Sequence, residues 1–181
     1  GIYSNGTAGE FYNQTEEEFD RINALLASKC ERAGMRFQIG CSHVNPVMCL
    51  ERVTRAVNMA PGAIQVILPD WIPCDMREAV SFLEKVSMHA GSIPLILYNP
   101  GHARKVLSPE EILEIKDKVR AVKGCKVAWK DDTWLRKLAH AARDLSVFVP
   151  GHRLATGFSL GARGAYSNVA CLNPLAAQKW F

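Results

Sequence analysis

The chain has 181 residues, 48% of them hydrophobic, enough for one buried core and short for two domains. Its formal charge of +4 is the balance of 22 basic and 18 acidic residues, spread without a basic run, which argues against a nucleic-acid-binding arm. The six cysteines are scattered with no CxxC spacing, the pattern of reduced thiols in a cytoplasmic protein rather than of a disulfide framework. No run approaches the roughly 18 apolar residues of a membrane span, and the first residues do not read as a signal peptide.

In chain order, Gly1 to Ser4 reads as a short strand that opens without an initiator methionine, so a segment upstream is expected. From Thr15, the residues Phe19, Ile22, Leu25 and Leu26 fall on one helical face; Thr15 and Glu18 have capping-box spacing and Gly34 is the stop. Phe37 to Gly40 follows as strand, about Pro46 to Ala60 as helix, and Ala63 to Leu68 as a buried strand bounded by Gly62 and Pro69. The alternation continues with Asp75 to Ala90 as helix, Pro94 to Tyr98 as strand, and Ser108 to Val122 as helix. Cys125 to Trp129 is then expected as strand, about Thr133 to Ala142 as helix and Ser146 to Val149 as strand. A short helix near Leu154 to Leu160 and a last strand from Gly164 to Asn168 complete seven strands. Short apolar strands alternating with amphipathic helices define a parallel sheet, closed or open.

The chemistry-bearing residues cluster just after the strands, which in a barrel would form one rim. Lys130 closes the run Cys125-Lys126-Val127-Ala128-Trp129 and reads either as a desolvated amine able to form an imine or as a strand-end lysine that snorkels to water. Tyr98 ends its strand with a phenol able to carry protons, or simply packs there. The loop Gly6-Thr7-Ala8-Gly9-Glu10 offers backbone N–H groups and one hydroxyl to a carboxylate, or is only a turn. Cys41 and His43 lack a second pair at zinc-like spacing, so no metal is expected. His152 and Arg153 either meet an acidic substrate or are loop residues.

Taken together, GTAGE at Gly6 to Glu10, LYNP at Leu97 to Pro100, VAWKDD at Val127 to Asp132 and GAYSNVACLNP at Gly164 to Pro174 resemble the dihydrodipicolinate synthase and N-acetylneuraminate lyase family of aldolases. The resemblance covers nearly the whole chain. It implies an α/β fold, the (β/α)8 TIM barrel, with strands 2 to 8 of that barrel and a single incomplete domain over residues 1–181, truncated at both ends. It also implies a lyase or aldolase for a pyruvate-like 2-keto acid, with Lys130 as the Schiff-base lysine, Tyr98 as general acid/base and Thr7 in the proton relay. Ala8, Gly9, Trp71, Gly151, Tyr166 and Ser167 would bind substrate. No cofactor is called for, the partner is a small molecule rather than nucleic acid or membrane, and a dimer or tetramer is implied.

The chain departs from the synthase branch at Ala8, where a second hydroxyl residue is usual, and at Trp71, where a tyrosine is usual; the arginine that follows the family's YN motif has no clean match. The expectation is therefore an enzyme other than the lysine-biosynthetic synthase, with a less polar electrophile. A hydratase or dehydratase using the same imine and a non-catalytic barrel that binds a small acid are the alternatives.

Overall fold

A computed structural model describes residues 1–180. Seven strands form one parallel sheet in the order β1 to β7. They are β1 (Ile2–Ser4), β2 (Phe37–Gly40), β3 (Ala63–Val66), β4 (Leu95–Asn99), β5 (Val122–Val127), β6 (Ser146–Pro150) and β7 (Gly164–Tyr166). Between them run α1 (Glu16–Arg32), α2 (Pro46–Val57), α3 (Met76–Ala90), α4 (Pro109–Lys118), α5 (Asp132–Ala141) and α6 (Leu154–Ser159); α7 (Val169–Leu172) and α8 (Pro174–Trp180) follow β7.

The helix starts are chemically explicit. Thr15 with Glu18, Asp75 with Glu78 and Ser108 with Glu111 each form a reciprocal capping box, which satisfies donors that the first turn leaves unpaired.

Alternate strand residues separate two environments. Ile39, Ile64, Val66, Leu95, Leu97, Cys125, Val127, Val147 and Val149 join Phe19, Val53, Leu83, Ile112, Ile115, Leu135 and Leu138 of the helices in one buried core. The opposite face carries Tyr3, Gln38, Gln65, Tyr98, Lys126, Phe148 and Tyr166, so the sheet is curled around a polar and aromatic interior. Its curl brings Tyr3 of β1 within 5.2 Å of Tyr166 of β7, centroid to centroid. The sheet nevertheless remains open between β1 and β7 among the described residues. It is a partial barrel of βα units.

The boundaries depart from the sequence reading most at β5. That strand begins at Val122 rather than Cys125 and ends at Val127 rather than Trp129, while α4 stops at Lys118. Gly124 looks like a breaker in sequence, but here the absence of a side chain lets strands meet. A Cβ at that position would lie 2.7 Å from Ile96 Cδ1 and 2.9 Å from the Ser146 carbonyl oxygen. Beside it the register shifts: Leu95 pairs with Val122, but Ile96 pairs with Gly124, so β5 carries one extra residue. Such a bulge resets the alternation beyond it.

Candidate active site

The reset alternation puts Lys126 opposite Tyr98. Because partners in a parallel ladder point to the same face, both side chains enter the interior. Lys126 Nζ lies 4.2 Å from the centre of the Tyr98 ring and 5.0 Å from that of Tyr166. Burial holds this amine below the ordinary lysine range, since a low-dielectric surrounding disfavours the ammonium. The two aromatic faces act in the other direction, by about 0.5–1 kcal/mol for a cation over a ring.

Tyr98 is 7% exposed, and its hydroxyl lies 3.2 Å from Thr7 Oγ1, close enough for either to donate. Tyr98 thus contacts both: the amine lies over its ring and its hydroxyl reaches Thr7. On the far side of Lys126, the Tyr166 hydroxyl donates to Gln38 Oε1 at 2.5 Å. Burial pushes the Tyr166 phenol up to about 12 and raises that of Tyr3 as well, so both stay protonated at neutral pH.

The Thr7 loop is fixed by a buried polar network. Asn5, at φ 56°, donates from Nδ2 to Asn23 Oδ1 and to the Gly40 carbonyl, and accepts from Gln14 Nε2. Arg52 of α2 is fully buried. Its guanidinium donates to Glu16 and to the carbonyls of Phe11, Ser42 and Gln14, while stacking 4.8 Å from the Phe19 ring centre. One arginine thus ties the segment after Thr7 to α1, α2 and the loop after β2. After β4, Asn99 does a similar job: its side chain donates to the Lys105 carbonyl and accepts from the Leu107 amide, clamping the 100–107 loop.

Of the residues singled out in sequence, Thr7 and Tyr98 are brought together and Tyr166 closes the other side. Lys130 is exposed, three residues beyond the end of β5; the lysine beside Tyr98 is Lys126. The sequence signal for it was a lysine between two residues of buried type, Cys125 and Val127, inside a strand. Gly151 and Ser167 are in contact, since a Cβ on Gly151 would lie 2.5 Å from Ser167 Cβ. Ala8 and Gly9 are exposed, and the Gly9 amide is spent on the Gly6 carbonyl at 2.9 Å, which removes one of the donors expected for a carboxylate. Trp71 is 81% exposed and does not line the cavity described next.

Beside Thr7 is a cavity of about 290 Å³ lined by Thr7, Phe11, Tyr12, Val44, Ile67, Asp70, Pro100, His102 and Ala103. Elsewhere, His43 Nδ1 accepts from the Asn45 amide, Arg153 stacks 4.6 Å from the Trp129 ring centre, and burial pushes the Cys49 and Cys125 thiols up to about 12. Among the described residues no group of three or more His, Cys, Asp or Glu is placed to hold a metal ion. No helix there is long and apolar enough to cross a membrane.

The fold is that of an α/β protein built as a partial βα barrel, with an amine over the ring of a phenol in its interior. The solved structures it resembles are of the dihydrodipicolinate synthase and sialic acid aldolase kind. They include YagE of E. coli K12, a prophage protein of the dihydrodipicolinic acid synthase family in complex with pyruvate, at 24% identity and a TM-score of 0.85, matching 98% of this chain and 63% of that one. CdNal of Clostridium difficile, in complex with mannosamine, is similar at 18% identity and a TM-score of 0.89, matching 98% of this chain and 61% of that one. Ruminococcus gnavus sialic acid aldolase is similar at 21% identity and a TM-score of 0.86, over 94% and 57%. The chain spans about 60% of the length of these structures, and identities this low show a shared fold. No family model matches the sequence, and no curated protein does.

Proposed function

We propose that this chain is part of a divergent Schiff-base lyase of the dihydrodipicolinate synthase and N-acetylneuraminate lyase family, acting on a 2-keto acid through Lys126. The observation that carries the reading is the grouping of Lys126, Tyr98 and Thr7 inside a partial parallel βα barrel. It moves to Lys126 the role that the sequence reading gave to Lys130, because only Lys126 is desolvated and held against the phenol. Two similarities support it: YagE was solved with pyruvate, and the Ruminococcus gnavus aldolase was also solved as its catalytic lysine mutant. By the same resemblance the seven strands correspond to strands 2 to 8 of an eight-stranded barrel.

In this mechanism the neutral Lys126 amine adds to the C2 carbonyl of the keto acid. Tyr98 delivers its proton to the departing hydroxyl, so water leaves and an iminium forms. The Tyr98 oxygen then takes a proton from C3, giving an enamine, while the Thr7 hydroxyl stabilises the phenolate by hydrogen bonding. The nitrogen is the electron sink, so the steps draw on no cofactor. Ala8, Gly151 and Ser167 are proposed to bind the carboxylate of the keto acid. An aldolase and a hydro-lyase share all of these steps. The substrate is a small acid, and the assembly is proposed to be a homo-oligomer.

The test is incubation of the full chain with pyruvate and borohydride, followed by peptide mapping. A reduced pyruvate adduct on Lys126 is expected. An adduct on Lys130 would restore the sequence assignment, and none with any 2-keto acid would leave a non-catalytic barrel.

A further inference from the structure

We propose that Gln38 is a positioning residue for Lys126: its hydrogen bond to Tyr166 clasps the two open edges of the sheet and keeps water from the amine. The geometry stands by itself, and its catalytic meaning rests on the Schiff-base reading.

The clasp joins elements far apart in the chain. Tyr166 is in β7 and Gln38 in β2, and the bond between them, at 2.5 Å, reaches past β1. Gln38 is the ladder partner of Tyr3, whose ring meets that of Tyr166 edge-on, with centroids 5.2 Å apart and planes at 77°. Phe148 packs against Tyr166 in the same way, at 5.3 Å and 71°. Among the described residues β1 and β7 share no ladder, so ring contacts and one side-chain hydrogen bond span the gap between them. The held ring in turn covers the amine, its centre 5.0 Å from Lys126 Nζ. A Tyr166 free to swing would uncover Lys126.

The interior behind the clasp is dry. Gln65 points inward between the core residues Ile64 and Val66 of its strand and is 0% exposed. Neither polar atom of its amide has a hydrogen-bond partner among the described residues. Water that reached this amide would pair it. The amide nevertheless acts on the clasp: burial raises the Tyr166 phenol, and the side chains of Gln38 and Gln65 offset part of that rise.

Holding Tyr166 affects Lys126 in two opposed ways. The ring face favours the ammonium, whereas exclusion of water favours the neutral amine. Burial is what lowers the Lys126 pKa, and among the described residues no charged group contributes, so exclusion is the larger effect. The titratable groups on this face are the phenols of Tyr98 on β4 and Tyr166 on β7 beside the amine, with Tyr3 of β1 against Tyr166. Releasing the clasp admits water and returns Lys126 toward its ordinary ionisation.

The experiment titrates the Lys126 Cε resonance of the full chain by carbon-13 NMR, assigned by its loss in Lys126→Arg, and follows borohydride trapping of pyruvate in parallel. Gln38→Ala should raise the Lys126 midpoint by about one unit. The neutral fraction, and with it the rate of adduct formation at neutral pH, should fall about tenfold. Tyr166→Phe keeps the ring and loses only the bond, so it should move the midpoint the same way by less, and it decides the matter should Gln38→Ala fail to fold. The double variant Gln38→Met with Tyr166→Phe puts an apolar contact of similar shape across the gap and leaves neither group of the bond to draw water. Its midpoint should return to within about 0.3 unit of the parent. An unchanged or lowered midpoint in either single variant that folds would overturn the clasp, whether or not the adduct forms. A rise that the double variant does not reverse would overturn exclusion of water as its cause, and the proposal with it. The expected shifts without any pyruvate adduct would uphold the clasp and overturn the Schiff-base reading alone.

Discussion

Lys126 and Tyr98 are ladder partners on adjacent parallel strands, and the amine of one lies 4.2 Å from the ring centre of the other. The sheet itself sets the spacing of the two side chains, because ladder partners point to the same face. The loop that brings Thr7 to the same phenol is held from the opposite side by Arg52.

The first prediction concerns which lysine reacts. Lys126→Arg should abolish the reduced pyruvate adduct and lower turnover by on the order of 10³-fold or more, as expected when the nucleophile of a covalent mechanism is removed. Lys130→Ala should keep both within about threefold of the parent, because Lys130 is exposed beyond the strand. Intact-mass measurement after borohydride reports the adduct directly.

The second concerns pH. Burial lowers the Lys126 pKa, and the neutral amine is the nucleophile, so the rate of adduct formation should rise with pH and level off below the ordinary lysine value of about 10.4. Phe148→Asp, which adds a carboxylate beside the interior, should move that midpoint upward. A midpoint in the parent at the ordinary lysine value would contradict a desolvated amine.

The third separates binding from proton transfer. Tyr98→Phe keeps the ring beside Lys126 but removes the hydroxyl, so turnover should fall by about 10² to 10⁴ with pyruvate affinity little changed. Thr7→Val should cost less, about tenfold, because Thr7 acts through the Tyr98 hydroxyl. Stopped-flow kinetics with separate determination of pyruvate Kd would distinguish the two effects.

The fourth concerns the loop anchor. Arg52→Ala should cost about 3–5 kcal/mol, since it leaves Glu16 with Arg55 alone and the Phe11 and Ser42 carbonyls without the guanidinium that they accept from. The loss should appear in urea unfolding as a lower midpoint.

The fifth follows from Glu16. Burial raises its pKa, but hydrogen bonds from Arg52 and Arg55 outweigh that and leave it lowered. A carboxyl with a depressed folded pKa contributes stability above its unfolded value, about 4.3, and loses it as the pH falls through the folded value. Glu16→Gln should therefore destabilise the protein at neutral pH and flatten its acid-unfolding profile below about pH 5. Thermal melts across that range would show it.

Much of the fold is legible in local sequence because its determinants are local. The capping pairs Thr15–Glu18, Asp75–Glu78 and Ser108–Glu111 act within one helical turn, and the short apolar runs between the helices can only be buried strands. Thr7 and Tyr98, whose hydroxyls the structure brings together, each sit in a short motif at or just after a strand end. That Lys126 rather than Lys130 lies over the Tyr98 ring was not legible in the same way. Lys126 and Lys130 are four residues apart, so strand alternation with a period of two gives both the same face and cannot choose between them. The choice depends on where β5 starts, on the extra residue between Val122 and Gly124, and on the pairing of Lys126 with Tyr98. Trp71 shows the same limit. A large ring after a strand reads as pocket lining, yet the loop carries it outward to 81% exposure, while Phe11 and Ile67, ordinary apolar residues in sequence, floor the cavity. Residue type and spacing determined the elements and the chemistry available. Ladder register and loop path, which arise only when distant segments pack, decided which side chains meet.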